Sequence, residues 1–170
     1  MSEELRPIGY QGLGRMIETL IPSNKFLALA GEKIASVGTT EDKDSLVFGL
    51  VDGRTLTYMA MGDCCSGSWI EHLTVPPDIA GAEVISCKEV EMGEFDDDGE
   101  TIRVYQTAFQ TGKGEIVVEY RNASNGNYGG WLLGPVEDWA YEKERRLLSD
   151  RRAALRELSN DADELGDYAG

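Results

Sequence analysis

A chain of 170 residues can bury a sizeable core without metal or disulfide support, and one domain accounts for its length. Its formal net charge of −15, from 31 acidic against 16 basic residues, opposes a nonspecific grip on phosphate backbones or anionic membranes, so neither nucleic acid nor membrane is expected as a partner. Three cysteines, two of them adjacent, make no simple disulfide framework, and without a signal-like start or a long apolar run the expected location is a reducing cytoplasm.

Twenty glycines and several strongly β-forming runs predict a β-rich fold with many turns. Residues 1–30 read as an N-terminal extension, in which LGRMIETLI at 13–21 predicts a short helix closed by Pro22. From 31 onward, GEKIASVG is followed by SLVFGLV at 45–51, then Asp52-Gly53, then TLTYMAM at 55–61. Two β runs joined by Asp-Gly predict a hairpin with a type I′ turn, and so a three-stranded meander. WIEHLTV at 69–75 reads as a further strand, its alternation placing Trp69, Glu71 and Leu73 on one face and Ile70, His72 and Thr74 on the other.

The second half repeats this order. GAEVISC at 81–87 precedes TIRVYQTAFQT at 101–111, the turn Gly112-Lys113-Gly114, and EIVVEY at 115–120. Gly31 and Gly81 open the same spacing, with Ile34 or Val84 three positions on and Ser36 or Ser86 two beyond. Both third strands run into small-residue loops that end in tryptophan, GDCCSGSW at 62–69 and RNASNGNYGGW at 121–131. Residues 31–134 are therefore read as one β domain of two similar halves. The acid-dense stretch VEMGEFDDDGE at 90–100 reads as a solvated hairpin loop, since its acids lack the ligand spacing of a calcium loop.

Gly134-Pro135 is expected to break the strand pattern. Within 135–160, residues 137–159 predict an amphipathic helix with Tyr141, Leu148 and Leu155 at seven-residue spacing, packed on its own sheet or on a second copy, and 161–170 form an acidic tail. The expected fold class is mainly β (α+β): an antiparallel sheet or half-barrel built from two β-β-β meanders, with a C-terminal amphipathic helix.

No catalytic device stands out. The single histidine, His72, would have to serve any Ser-His-Asp or Cys-His arrangement, Cys64 and Cys65 lack Cys-x-x-Cys spacing for zinc, and the glycine loops carry no phosphate-binding pattern. A non-enzymatic protein without metal or cofactor is expected. The loop at 121–131 does hold Asn122, Asn125, Asn127 and Tyr128, a density of amides beside a ring that suits a planar polar ligand.

The stretches DCCSGSWIEH at 63–72 and VEYRNASNGNYGGWL at 118–132 resemble a family of small phage-encoded proteins marked by DCC-S-SWIEH and SSNGYYGG motifs. The resemblance covers about residues 31–133 and extends distantly to Thoeris anti-defence proteins, β-rich oligomers that capture a cyclic ADP-ribose signal without destroying it. It implies a homo-oligomeric sponge in the host bacterial cytoplasm that holds a cyclic nucleotide or cyclic ADP-ribose-type ligand. The implied site combines Cys64, Cys65, Ser66 and Trp69 with Arg121, Asn122, Ser124, Asn125 and Tyr128: Tyr128 or Trp69 stacking on a base, Asn122 and Asn125 bonding its polar edges, and Arg121 meeting a phosphate. The sequence departs from the pattern in one respect. The position expected to hold an arginine is Glu119, so either Arg121 substitutes from the opposite strand face or the ligand differs. The alternative function is an acidic protein-binding inhibitor or virion-associated protein, acting through the 94–100 acid cluster or the C-terminal helix.

Overall fold

The structure, a computed structural model, describes residues 3–20 and 28–136. Pro22, the expected C-terminal helix and the acidic tail lie outside them. A short helix, α1 (Leu13–Leu20), precedes eight strands: β1 (Ile34–Thr39), β2 (Ser45–Leu50), β3 (Thr55–Gly62), β4 (Gly67–Thr74), β5 (Val84–Asp97), β6 (Glu100–Thr111), β7 (Gly114–Ser124) and β8 (Gly130–Val136).

The strands form two antiparallel four-stranded sheets, in the orders β1-β2-β3-β8 and β4-β7-β6-β5. The mainly β expectation holds at this level, but a single sheet or half-barrel does not: the apolar faces of two sheets meet, and the described strands close no barrel. Alternation drives this layering, since each of β2, β3, β6 and β7 turns one set of side chains to a common core. At its centre the Phe48 ring lies 5.2 Å from Phe109 and 5.7 Å from Tyr58, edge to face, tying β2 and β3 to β6 across the two sheets. Leu46, Ile116, Val118 and Leu132 bury the surrounding space completely.

Each three-stranded meander is completed by a strand from the other half. β4 leaves the first half to pair with β7, Trp69 opposite Arg121, and β8 leaves the second to pair with β3, Gly62 opposite Gly130. β1 and β5 carry a register shift at matching positions, Ile34/Ser36 and Val84/Ser86.

Several local expectations are corrected. The acidic stretch is strand, not loop: β5 continues to Asp97, and the hairpin tip is Asp98-Gly99, both at positive φ (46° and 86°). At the first hairpin only Gly53 has positive φ (90°), so the turn is not type I′; residues 51–54 form the loop, closed by the Leu50 N–H donating to Arg54 O at 2.8 Å. Gly134-Pro135 does not end a strand, because β8 absorbs it as a register shift against β3 and runs on to Val136. An extra residue in β4 between Ile70 and His72 resets its alternation, so Leu73 packs against the core with Ile70 while His72 is exposed.

Residues 3–16 wrap around the β5 edge. The Arg6 N–H and C=O pair with Glu94 at 2.9 and 2.7 Å, beside Gly93, whose φ is 137°. A Cβ at Gly93 would lie 2.7 Å from Arg6 O, so the crossing requires glycine. Replacing Phe109 by Ala should lower the unfolding free energy by about 3–5 kcal/mol, read from urea unfolding, because the ring is fully buried between both sheets. A loss under about 1 kcal/mol would mean that the two sheets do not meet there.

Candidate functional site

The β3–β4 and β7–β8 connections turn at the same end of the molecule, and polar side chains fasten them together. Asp63 is the first fastener. Its backbone N–H donates to Gly129 O at 3.1 Å, while its carboxylate accepts from the Gly129 N–H at 3.0 Å and from the Gly14 N–H of α1 at 2.9 Å. Gly14 rests directly on the Trp131 ring, where a Cβ would lie 2.6 Å away.

Asn122, fully buried on β7, is the second. Its amide nitrogen donates to Ser68 Oγ at 2.9 Å and Ser66 Oγ at 3.0 Å, drawing the 63–68 turn onto β7. Gly62 and Gly130 face it: a Cβ at Gly62 would lie 2.5 Å from the amide nitrogen, and one at Gly130 2.7 Å from Asn122 Cβ. The small-residue pattern around both loops thus has a packing cause. Asn122 Oδ1 is buried with no hydrogen-bond partner, a condition that costs about 1–3 kcal/mol in an apolar setting.

Sequence reasoning missed the third fastener. Arg103, 1% exposed on β6, donates to Glu94 Oε2 at 2.9 Å, Tyr128 O at 2.6 Å and Gly126 O at 2.7 Å. It sets the shape of the 125–128 loop by gripping two carbonyls. Ser124 Oγ accepts from the Gly126 N–H and Asn125 Oδ1 from the Asn127 N–H, which tightens the same reversal. Next to it Tyr105 and Tyr120 stack at 5.1 Å, Arg15 lies 4.6 Å over the Tyr105 ring, and Arg15 Nη1 donates to the Tyr120 hydroxyl. Burial raises the Tyr105 hydroxyl above the ordinary phenol value and pushes that of Tyr120 well above it. The only available signals were an arginine alternating with apolar residues in TIRVYQ and a glutamate before Phe95.

The nine residues expected at the site divide between faces. Ser66 and Asn122 are bonded to each other on the inner side of the loop pair, and Ser124 is buried two positions along β7, bonded within its own loop. Cys64, Cys65 and Asn125 stand exposed at the tips, and Tyr128 is half-buried with its carbonyl on Arg103. Trp69 and Arg121 are register partners on the other face of the sheet, away from Ser68 and Asn122. The Trp69 indole N–H donates to Glu71 Oε2 at 2.6 Å, and this bond holds the Glu71 carboxyl below its usual range. Arg121 does not replace the missing arginine from the opposite face. Residues 119 and 121 share a face, and the guanidinium is bound by Glu119 at 2.9 Å and by Glu3 at 3.0 Å, beside the Phe95 ring. Burial would lower the Arg121 pKa, but Glu3 and Glu119 together raise it.

No group of three or more His, Cys, Asp or Glu side chains suited to a metal occurs among the described residues, and none of their helices is long and apolar enough to cross a membrane. These features define a two-sheet antiparallel β protein whose crossing loops are bound into one polar end. The chain belongs to the family described as a domain of unknown function (DUF7448), which matches residues 27–133 and therefore covers both loops. No curated protein and no solved structure matches it.

Burial raises the Glu94 carboxyl, but hydrogen bonds from Arg103, the Gly9 N–H and Arg6 outweigh this and hold it below the usual range. A depressed folded-state value means stability that is present above the unfolded value, about 4.3, and lost as pH falls through the folded one. Glu94→Gln should cost about 3 kcal/mol at neutral pH, because Arg103 stays buried without its counter-charge. It should also flatten the decline in unfolding free energy between about pH 5 and pH 3. Equal acid sensitivity in both proteins would assign that decline to other carboxylates.

Proposed function

We propose that this protein is a non-catalytic binder that sequesters a small nucleotide-type signal at its joined loop ends, acting as an anti-defence sponge in a phage-infected cytoplasm. Asn122 carries the reading: a fully buried amide that organises the 63–68 turn, yet offers a carbonyl oxygen with no partner. That oxygen is sealed in the unliganded fold, so a ligand N–H, such as the amino edge of a base, meets it only as the 63–68 turn shifts, and the exposed Asn125 and Asn127 supply hydrogen-bonding groups at the rim. Phosphate recognition through Arg121 would have to break its pairs with Glu3 and Glu119, so the ligand is held by its base edge and shape more than by its charge. A nucleophile with a base is lacking from this reading, since His72 is exposed on β4 and is not among the loop residues joined here.

The second reading, an acidic protein-binding inhibitor, draws on the exposed Asp96, Asp97, Asp98 and Glu100 at the β5–β6 tip. Loss of a host partner on replacing these four by Asn or Gln would favour it.

Thermal unfolding of the full chain with a panel of cyclic nucleotides and cyclic ADP-ribose isomers should single out one ligand class. At about a hundredfold excess over Kd, binding adds about 2.7 kcal/mol of stability. Asn122→Ala should abolish the shift, and the rim variant Asn125→Ala should weaken it about tenfold or less. No shift with any member in the unaltered protein would overturn the sponge reading.

A further inference from the structure

Cys64 and Cys65 occupy the two central positions of the tight turn that carries the chain from one sheet to the other. The turn is closed by the Ser66 N–H donating to Asp63 O at 3.2 Å and by Ser66 Oγ donating to the same oxygen at 2.7 Å. Both thiols are exposed, and Cys65 sits at φ 66°, the left-handed conformation that non-glycine residues seldom adopt. Immediately on either side lie the two groups that join the loops: Asp63, bonded to Gly129 and Gly14, and Ser66, bonded to Asn122.

We propose that Cys64 and Cys65 form a reversible thiol–disulfide switch whose closure opens this turn and loosens the loop pair. Adjacent Cα atoms are about 3.8 Å apart, closer than the 4.4 Å or so at which ordinary disulfides begin. A bond between the two sulfurs therefore needs a backbone rearrangement at Cys64-Cys65, and the Asp63 to Ser66 turn cannot persist through it. Strained, exposed disulfides are the readily reduced, regulatory kind, which suits a compartment where the thiols are the resting form.

Peroxide is the oxidant that the step requires. The charge and hydrogen-bond acceptor of Cys65 keep the Cys64 thiol protonated to higher pH, and the attacking group is the Cys65 sulfur as its thiolate. It attacks one peroxide oxygen, giving a sulfenic acid at Cys65 and, after proton uptake, water. Cys64 sulfur then attacks the sulfenic sulfur, the S–S bond forms, and hydroxide leaves and takes the Cys64 proton as a second water. Two thiols lose two hydrogens and two electrons in all, and one peroxide becomes two waters. A dithiol reductant reverses the change.

The switch concerns the same turn as the proposed ligand site but stands on the thiols alone, so it holds whichever ligand binds there. The test treats the full chain, and a Cys87→Ser variant, with stoichiometric hydrogen peroxide. Intact mass should fall by two hydrogens in both proteins, free thiols should fall by two, and no disulfide should form between chains; Cys64→Ser and Cys65→Ser should each lose the change. Amide hydrogen exchange at Ser66 and Gly129 should quicken about tenfold or more on oxidation and return on reduction. Disulfide-linked dimers, oxygen adducts in place of hydrogen loss, or dependence on Cys87 would overturn the pairing. Unchanged exchange at Ser66 and Gly129 in the oxidised protein would overturn its effect on the loops.

Discussion

A guanidinium buried to 1% exposure is largely cut off from water, so each of its three nitrogens needs an acceptor fixed in place. Arg103 meets this condition with one carboxylate and two backbone carbonyls, and the rest of the site follows from that choice. Glu94 must stay ionised beside it, which draws in Arg6 and the Gly9 N–H and lays the N-terminal arm across the β5 edge. The carbonyls of Gly126 and Tyr128 must point inward, which fixes the reversal between β7 and β8. One buried cation thereby couples the chain start, the long hairpin and a loop that is exposed at its tip.

Asp63 and Asn122 extend the same logic to the other loop. Both act on backbone groups or small hydroxyls, so this end of the molecule owes its shape to hydrogen bonds more than to apolar contact. The aromatic cluster of Phe48, Tyr58 and Phe109 lies elsewhere in the sandwich and supplies the stability that lets a polar, partly unsatisfied end exist. A binding reading fits this division of labour, because a buried acceptor such as Asn122 Oδ1 is a cost to the unliganded fold and a gain to a complex that satisfies it.

Strand identity was legible wherever local pattern sufficed. SLVFGLV, TLTYMAM and TIRVYQTAFQT are runs of β-forming residues and appear as β2, β3 and β6, and a short helix stands at 13–20 within the expected 13–21. The resemblance joined the two loops into one site, and the structure sets them side by side through Asp63 with Gly129 and Asn122 with Ser66. What failed were features whose cause lies far along the chain. Acids at 90–97 look solvated until Arg6, 88 residues from Glu94, and Arg103 are set beside them. The Asp98-Gly99 dipeptide was the local signal for the hairpin tip and was passed over. The shift in β4 at Glu71 leaves no mark in the sequence, so Leu73 and His72 were assigned to the wrong faces, whereas Glu119 and Arg121 share a face by alternation alone and only Glu3 is a distant partner.

The exchange of β4 and β8 between halves bears on how the chain reaches its native state. Neither three-stranded meander finishes its own sheet, so a nascent first half emerges with β3 lacking its neighbour and β4 lacking a sheet to join. Gly62 waits for Gly130 and Gly67 for Ala123, closures that span more than fifty residues each. Loop-closure entropy of that order must be met before the pairing rewards it, which makes assembly slow and all-or-none. The two halves are consequently not modules that evolution or an engineer could separate: cutting between them would leave two open edges in place of one closed interface.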